Sequence, residues 1–223
     1  MKVCTDACLF GGWVASKIDI APHQNILDIG TGTGLLSLMI AQAIPSDKSI
    51  HAIEIEQNAF EEASNNFQMS PWNHQIHNHR VSLQDFTSNI EFDIIISNPP
   101  FYEGDLKSPS SAKNLASHSE ALSWNDLSAN VNRLLSSDGN FYVLIPASRA
   151  YTMQKLAEKE NMHLLNETLV FHHNESKIPF RTIMHFGRCK AEEISRERIY
   201  IKEDQEKYSK AFVDLLKDYY LHF

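Results

Sequence analysis

The sequence predicts an α/β protein with a Rossmann-like, mostly parallel sheet, helices on both faces and an antiparallel hairpin at one edge. The first observation behind this prediction is that apolar, strand-like segments alternate with helical segments between residues 25 and 146. Such alternation is typical of a parallel sheet that is covered on both sides. The second observation is that the strand "NILDIG" runs into closely spaced glycines, and the third is that the tail contains two adjacent strand-like segments.

The parallel part of the sheet is predicted from five apolar segments and the helices between them. Pro45 ends the first of these helices, and the last has Ser123 as a suitable N-cap and Gly139 as a suitable stop. The predicted strands are 25–30, 49–56, 80–86, 92–101 and 140–146, and the predicted helices are 35–44, 57–70 and 123–139.

The two ends of the chain add a helical element over 5–18 and a tail over 163–223. In the tail, 163–173 and 181–188 are strand-like and are joined by a loop that contains a proline, so they predict an antiparallel pair at the sheet edge. The segment 206–220 has the spacing of an amphipathic helix. We found no repeat or linker, so residues 1–223 are predicted to form a single domain.

Composition excludes some classes of protein. No apolar run approaches the roughly 18 residues that a membrane span requires. The formal net charge is −8, with all of the excess in residues 1–150 and a balance of charges in 151–223. An acidic first half argues against a broad nucleic-acid surface there. Three cysteines without paired spacing indicate reduced thiols in a cytoplasmic protein.

The stretch "DIGTGTG" (28–34) lies where a strand ends and a helix begins, which is where open parallel sheets bind ligands. Gly30, Gly32 and Gly34, with Thr31 between the first two, let the backbone approach a ligand closely. The spacing differs from the dinucleotide fingerprint and from the P-loop. An acid at Asp28 suits a cationic ligand better than pyrophosphate, so we predict S-adenosylmethionine (AdoMet), which carries a sulfonium and an ammonium group.

Further acids are expected to hold the rest of this ligand. Glu54 ends the second strand, and its carboxylate can accept hydrogen bonds from both ribose hydroxyls. Glu56 follows two residues later and is the second choice for that position. Asp85, after the third strand, could accept from the adenine amino group, with Phe86 near the ring.

The strand-like stretch "FDIIIS" is followed by Asn98, Pro99, Pro100 and Phe101. Two prolines make this tetrapeptide stiff, and it has no glycine to form a simple turn, so a functional role is indicated. The Asn98 carboxamide and the Pro99 carbonyl are two acceptors that can take both hydrogens of a conjugated amino group. They would draw its nitrogen towards a tetrahedral shape and free the lone pair for methyl transfer. Phe101 could stack on a flat substrate. No metal is needed for this chemistry.

Taken together, these motifs resemble the class I AdoMet-dependent amino-methyltransferases that carry an Asn-Pro-Pro-aromatic motif. Three stretches narrow the resemblance to the bacterial tRNA(Val) adenine-37 N6-methyltransferases, over about residues 1–190. They are "KVCTDACLFGGWV" (2–14), "NPPFYEGDLKSP" (98–109) and "ASHSEALSWNDL" (116–127).

The resemblance implies a class I methyltransferase fold and methyl transfer to the exocyclic N6 of an adenosine beside the anticodon. It implies that Asn98, Pro99, Pro100 and Phe101 receive the adenine. It also implies that Thr5 and Asp6 belong to an N-terminal element that packs near the methionine end of AdoMet. The AdoMet-binding residues that it implies are Asp28, Gly30, Thr31, Gly32, Gly34, Glu54, Asp85 and Asn98. Gly12 and Ser117 depart from the family pattern, in which Ala and Arg are expected.

A tRNA substrate requires cations near the site. Lys107 and Lys113 lie in the long polar segment 102–119, and Lys177 and Arg181 lie in the predicted hairpin. These four are the predicted RNA contacts, and the hairpin region also carries Arg188 and Lys190. The histidines at 74, 77 and 79 are interpreted as polar loop and strand residues, not as a metal site.

Several other functions remain open at this level. Guanine-N2 rRNA methyltransferases and release-factor glutamine-N5 methyltransferases use the same tetrapeptide chemistry, although the glutamine enzymes commonly have Tyr where Phe101 stands. Two further classes are a nicotinamide-dependent oxidoreductase and a non-catalytic RNA-binding module. The spacing of the glycines argues against the oxidoreductase, and the intact tetrapeptide argues against the module.

Overall fold

The structure is a computed structural model that describes residues 4–18, 25–99, 122–204 and 206–223. Within these ranges one eight-stranded sheet runs through the protein in the order β3-β2-β1-β4-β5-β7-β6-β8. The strands are β1 (Asn25–Ile29), β2 (Ser49–Glu54), β3 (Ile76–Arg80), β4 (Phe92–Ser97), β5 (Leu135–Pro146), β6 (His163–His173), β7 (Arg181–Gly187) and β8 (Ser195–Lys202). The α-helices are α1 (Thr5–Lys17), α2 (Leu35–Ala43), α3 (Gln57–Met69), α4 (Trp124–Leu134), α5 (Ala150–Lys159) and α6 (Lys210–Leu216).

Seven of these strands point the same way, and β7 alone among them runs against its two neighbours. β1 pairs in parallel with β2 and β4, β4 with β5, and β6 with β8. β7 is antiparallel to both β5 and β6. The carboxyl ends of β1, β2, β4, β6 and β8 therefore meet at one edge of the sheet, which we call the carboxyl edge.

Helices cover both faces of the sheet, as the sequence predicted. One apolar core contains buried residues of α1, α2, α3 and α6 packed on alternate residues of the strands. The other contains residues of α4 and α5, together with the segment that follows β3. The strands buried on both sides, such as "FDIIIS", are near-continuous apolar runs, as parallel strands between two layers require.

Two predicted boundaries were wrong. The third strand is Ile76–Arg80 and not 80–86, because the segment after Arg80 turns: Ser82 donates to the Asp85 carboxylate at 2.7 Å. Gly139 does not stop a helix, because α4 ends at Leu134 and the chain enters β5 at once. Gly139 instead lies at an irregularity between β4 and β5, where a Cβ would meet the Leu135 side chain at 2.7 Å.

The antiparallel hairpin formed as predicted, over His163–His173 and Arg181–Gly187. Its position at the sheet edge was wrong, because β8 pairs with β6 and forms the edge itself. The sequence analysis assigned no element to this strand. The tail helix is also shorter than 206–220: Ser209 caps it by accepting from the Phe212 N–H at 3.1 Å, and it ends at Leu216.

The N-terminal helix α1 packs directly against the last helix, α6. A Cβ on Gly12 would lie 2.6 Å from the Leu215 carbonyl oxygen and 2.9 Å from the Leu216 side chain. The departure at Gly12 thus has a structural reason in this chain, since even an alanine would force the two helices apart. No helix among the described residues meets the length and hydropathy that a membrane span demands.

Candidate functional site

The glycine stretch and the tetrapeptide begin side by side at the carboxyl edge. Ile29 of β1 is paired with Ser97 of β4, and the Ser97 hydroxyl donates to the Ile29 carbonyl at 3.0 Å. Gly30 and Asn98 are the next residues of these two neighbouring strands. Strands in a sheet lie about 4.8 Å apart, so two motifs separated by 68 positions in sequence leave the sheet at adjacent points.

The glycine loop is folded back over the end of β2. The N–H groups of Gly30 and Thr31 both donate to the Ile53 carbonyl at 3.0 Å. Gly34 has φ +86°, and a Cβ there would strike the Phe67 ring at 2.4 Å, so both its backbone and its packing require glycine. Gly30 has φ +69°, and no atom of the described residues lies within 4 Å of its Cβ position, so its open side faces space that a ligand can use.

Asp28 is fully buried at the base of this loop. Its Oδ2 accepts from the Thr31 hydroxyl at 2.6 Å and from the Ser37 hydroxyl at 2.7 Å. Burial raises the pKa of this carboxyl to about 6, against the lowering effect of those two hydrogen bonds, so it remains mostly ionised at pH 7. Its Oδ1 is buried and has no hydrogen-bond partner among the described residues. An ionised, half-satisfied carboxylate of this kind is suited to a cationic ligand.

Glu54 and Glu56, the two candidates for holding the ribose, make different hydrogen bonds. Glu54 Oε2 accepts from the Gly32 N–H at 2.9 Å, so this carboxylate is tied to the glycine loop. Its Oε1 accepts from the N–H groups of Ile55 and Glu56. The Glu56 carboxylate instead caps α3, accepting from the N–H groups at the start of that helix at 3.0 and 2.8 Å. This arrangement favours Glu54, because Oε2 keeps a lone pair for a hydroxyl.

The expected adenine end of the ligand is only partly as the sequence suggested. Asp85 is exposed and lines a cavity of about 390 Å³ with His51, His79 and Phe86. The Phe86 side chain is 6% exposed and packs near Phe92, so it offers little surface to a second ring. Sequence reasoning missed Ile55, which directly follows Glu54 and is 46% exposed although it is large and apolar. The signal was present in the sequence, since Ile55 is an apolar residue directly beside the acid that was predicted to hold the ribose.

Asn98 and Pro99, the two predicted acceptors of the tetrapeptide, are both within the described residues. Asn98 Oδ1 is shielded from solvent and accepts no hydrogen bond within the described part of the chain. Pro99 is buried. Pro100, Phe101, Lys107, Lys113 and Ser117 lie outside the described residues. An unpartnered buried carbonyl costs about 1–3 kcal/mol, so this one is a natural place for a donor from a ligand.

The two predicted RNA contacts of the hairpin lie at the carboxyl edge, whereas the nearby Arg188 lies at the opposite edge. Lys177 is exposed in the turn between β6 and β7, at the carboxyl edge. Arg181 begins β7 at the same edge, but its Nε donates to Asp6 Oδ2 at 2.9 Å and joins α1 to the sheet. Arg188 follows β7 at the opposite edge, where its guanidinium donates to the carbonyls of Asn132, in the last turn of α4, and of Leu135, just after that helix. Arg188 therefore holds the helix end rather than the substrate edge.

The histidines near β3 form a packed cluster with a partner from β2. His51 Nδ1 lies 3.1 Å from His79 Nε2, and the two rings are stacked with centroids 5.3 Å apart. Burial, and then the neighbouring His77 and His79, lower the pKa of His51 to about 4. Within the described ranges no group of His, Cys, Asp and Glu has the arrangement of a metal site. His74 is exposed in a short 3₁₀ turn at the amino edge.

Comparison with solved structures identifies the fold class. A predicted O-methyltransferase from Agrobacterium tumefaciens superposes with a TM-score of 0.68 at 12% identity, covering 95% of each chain. A Listeria monocytogenes protein assigned to class I of the AdoMet-dependent methyltransferases superposes at 0.65 with 14% identity, covering 88% of this chain and 67% of the other. The fold is that of a class I methyltransferase, as predicted.

Sequence comparison then gives the family. The model of the methyltransferase small domain matches residues 13–168. A protein of Dyadobacter fermentans named tRNA1(Val) (adenine(37)-N6)-methyltransferase is 38% identical over all of this chain and 92% of its own length. A protein of the same name from Phocaeicola vulgatus is 36% identical with the same coverage. The chain belongs to the methyltransferase small domain family and, within it, to the tRNA1(Val) (adenine(37)-N6)-methyltransferases.

Proposed function

We propose that this protein transfers a methyl group from AdoMet to the exocyclic N6 of an adenosine in tRNA, at position 37 of tRNA(Val). The observation that carries the proposal is Asn98 Oδ1, which is buried and has no hydrogen-bond partner among the described residues, at the point where β4 ends beside the glycine loop. The relatives that match the chain along its length are named for this activity. A tRNA substrate also places the protein in the cytoplasm.

AdoMet is the cofactor that the family and the fold imply, and the residues present fit it. Within the part of the chain that the structure describes, Gly30 faces open space and Asp28 Oδ1 has no hydrogen-bond partner, and Glu54 lies against the same loop. We assign the cationic methionine end to the neighbourhood of Asp28 and the ribose hydroxyls to Glu54. Ile55 adds an apolar surface for the adenine ring. When bound, AdoMet supplies an electrophilic methyl group, and its sulfonium leaves as a neutral thioether.

The residues of this chain prepare the accepting nitrogen. Asn98 Oδ1 and the Pro99 carbonyl accept the two hydrogens of the adenine amino group, and Phe101 stacks on the ring. With both hydrogens held, the nitrogen lone pair is drawn out of conjugation and directed at the methyl carbon. The N–C bond forms, and the amine then loses one proton to water, so no side-chain base is required. Preplaced acceptors of this kind avoid reorganisation in the transition state.

The rival substrates differ in the molecule that carries the amino group and not in these acceptors. A guanine N2 or a glutamine amide would meet Asn98 and Pro99 in the same way. The preference for a tRNA adenosine therefore depends on the likeness to the named relatives and on the cations at the carboxyl edge.

Mass spectrometry of nucleosides separates these possibilities. The protein would be incubated with AdoMet and total tRNA, with rRNA, and with release factor in parallel. We expect N6-methyladenosine from tRNA alone, and a single modified site at position 37 of tRNA(Val) after oligonucleotide mapping. Methylguanosine from rRNA or methylglutamine in the release factor would replace the proposed substrate with that rival. Calorimetry with AdoMet and with NAD tests the cofactor independently.

A further inference from the structure

A second cavity opens at the carboxyl edge, away from the glycine loop. It has a volume of about 480 Å³ and is formed where α1, β6 and β8 reach this edge. Its walls include Thr5 and Asp6 of α1, His172 near the end of β6, Phe180 just before β7, and Tyr208 after β8. We call it the edge pocket. Its volume falls in the range of small-ligand sites, about 300–1,000 Å³.

The edge pocket lies within reach of a strand of RNA bound at Asn98. In the order β4-β5-β7-β6, three strand spacings separate the end of β4 from the end of β6. At about 4.8 Å per spacing this is about 14 Å along the edge. Stacked nucleotides advance about 3.4 Å each, so the pocket is at most about four nucleotides from the methylated one.

The chemistry of the walls suits a base. The rings of His172 and Phe180 are stacked with centroids 3.7 Å apart and an angle of 11° between their planes. The Arg181 guanidinium lies 5.5 Å from the Phe180 centroid. His172 is the exposed member of this stack, so it presents a ring to the pocket. Aromatic platforms flanked by cations are how single-stranded nucleic acids are commonly held.

The acids of the pocket are already engaged. Asp6 accepts from Arg181 at 2.9 Å. Asp204 Oδ1 accepts the N–H groups of Glu206 and Lys207 at 2.9 and 2.8 Å, and these bonds lower the pKa of its carboxyl. The Nζ of Lys202 lies 5.8 Å from the Tyr208 ring centroid on the far wall. Because Asp6 is paired with Arg181 and Asp204 is bonded to backbone N–H groups, these two acids do not exclude a polyanion whose phosphates contact Lys177 in the turn between β6 and β7.

We propose that the edge pocket holds the base of a second nucleotide of the same tRNA loop, stacked on His172. This proposal rests on the proposed function, because it takes tRNA as the substrate. The target adenosine occupies the Asn98 site, and the second base fixes the register of the loop on the enzyme. Recognition of this kind adds sequence or shape selectivity that the Asn98 site cannot supply by itself.

The test measures equilibrium binding of an anticodon stem-loop by fluorescence anisotropy, without AdoMet turnover. His172→Ala is expected to raise Kd about fivefold or more, the low end of what one stacked base contributes. His172→Tyr keeps a ring and is expected to bind as tightly as the unaltered protein. His74→Ala is the matched control, an exposed histidine at the amino edge, and should change nothing. The affinity for AdoMet, measured by calorimetry, should be the same in all variants.

Stem-loops with one abasic position each locate the base by a double-mutant cycle. One abasic position within four nucleotides of the target should weaken binding to the unaltered protein but add nothing to His172→Ala. Equal Kd values for His172→Ala and the unaltered protein would overturn the proposal, and so would additive effects at every position. Absence of N6-methyladenosine from the unaltered enzyme would refute the proposed function instead, while the binding cycle still decides the pocket.

Discussion

The two ends of the carboxyl edge are organised on different principles. At the β1–β2 end, Asp28, Thr31 and Ser37 lie within ten residues of one another and bond through local hydroxyl–carboxylate contacts. At the β6–β8 end, Asp6 and Arg181 are 175 positions apart, and the contact that joins them is made only in the complete fold. The first end is therefore built from one short sequence motif, whereas the second is built from residues that are far apart in the sequence.

This difference explains why one end carries a recognisable cofactor signature and the other does not. A short ligand-binding loop must keep its spacing, because its residues act on one small molecule. A surface for a larger substrate can be built from any residues that the fold brings to the edge. The following variants test whether the two ends are as independent as this comparison implies.

The largest effect is expected at the junction of the two ends. Asn98→Ala removes the buried acceptor and should lower kcat by on the order of 10²–10³, the loss seen when one preorganised group is removed from a transition state. AdoMet affinity should fall far less. Single-turnover methylation followed by nucleoside mass spectrometry measures the effect.

Asn98→Asp is the control, since it keeps the shape and an acceptor oxygen. It should retain more activity than Asn98→Ala. If Asn98→Ala turned over at the normal rate, the accepting role of this side chain would be lost.

The next largest effect is expected for Asp28, whose burial should make the free energy of unfolding depend on pH. Its pKa is about 6 in the fold and 3.8 as a free group, so the folded state holds the proton more tightly. Stability is therefore greatest below pH 4 for this group and decreases as pH rises to 6, by on the order of 3 kcal/mol. Asp28→Asn removes that decrease, which urea unfolding between pH 4 and 7 would detect.

His185 in the hairpin is the opposing control from the other end of the sheet. Burial, with a smaller contribution from Lys17, lowers its pKa to about 4 from 6.5. Because the unfolded chain binds this proton more tightly, His185 makes stability increase between pH 4 and 6.5. His185→Gln should flatten that increase. Identical pH slopes for Asp28→Asn and His185→Gln would contradict both assignments.

Breaking the Asp6–Arg181 pair should have an intermediate effect on stability. The two side chains are 14% and 25% exposed, between surface and buried ion pairs, so Arg181→Ala should cost about 1–3 kcal/mol of unfolding free energy. Replacing Asp6 as well should cost less than the sum of the two single changes. Thermal unfolding measures the stability, and calorimetry should find AdoMet affinity preserved.

Lys177→Glu tests RNA binding at the same end of the sheet, because Lys177 is exposed there whereas Arg181 is paired with Asp6. It should weaken tRNA binding, more strongly at low salt, without changing the unfolding temperature. Weaker AdoMet binding in Lys177→Glu would show that the two ends are coupled.

The smallest effect concerns Glu56. As the cap of α3 it should make a small contribution to stability, and Glu56→Ala should leave AdoMet affinity unchanged. Glu54→Ala is the companion and should weaken AdoMet binding. If calorimetry showed instead that Glu56→Ala weakens AdoMet binding and Glu54→Ala does not, Glu56 would be the acid that holds the ribose.

The sequence was sufficient for the parts of the fold that local pattern determines. Alternating strands and helices predicted the parallel sheet, and the glycine spacing together with Asp28 predicted the ligand class. Ser123 as an N-cap was also confirmed, since it accepts from the Asp126 N–H at 3.1 Å. Each of these depends on neighbours in the chain.

The features that the sequence did not predict depend instead on contacts between residues that are far apart in the chain. β3 was misplaced because its "IHNHR" is polar, and it is a strand only by pairing with β2. β8 was missed because its first half is charged and its apolar alternation is limited to Ile199 and Ile201. The edge pocket could not be predicted, since its walls come from α1, β6 and the residues that flank β7 and β8. Long-range pairing decides these features, and no local signal records it.

The close approach of Gly12 to Leu215 has a consequence for how the protein is made. α1 can pack against α2 soon after both are made, since Gly11 lies against Met39, but its contact at Gly12 has to wait for α6. Until then the Trp13 indole and its neighbours have nothing of α6 to cover them. This helical layer is therefore completed only when α6 has been made and docks against α1.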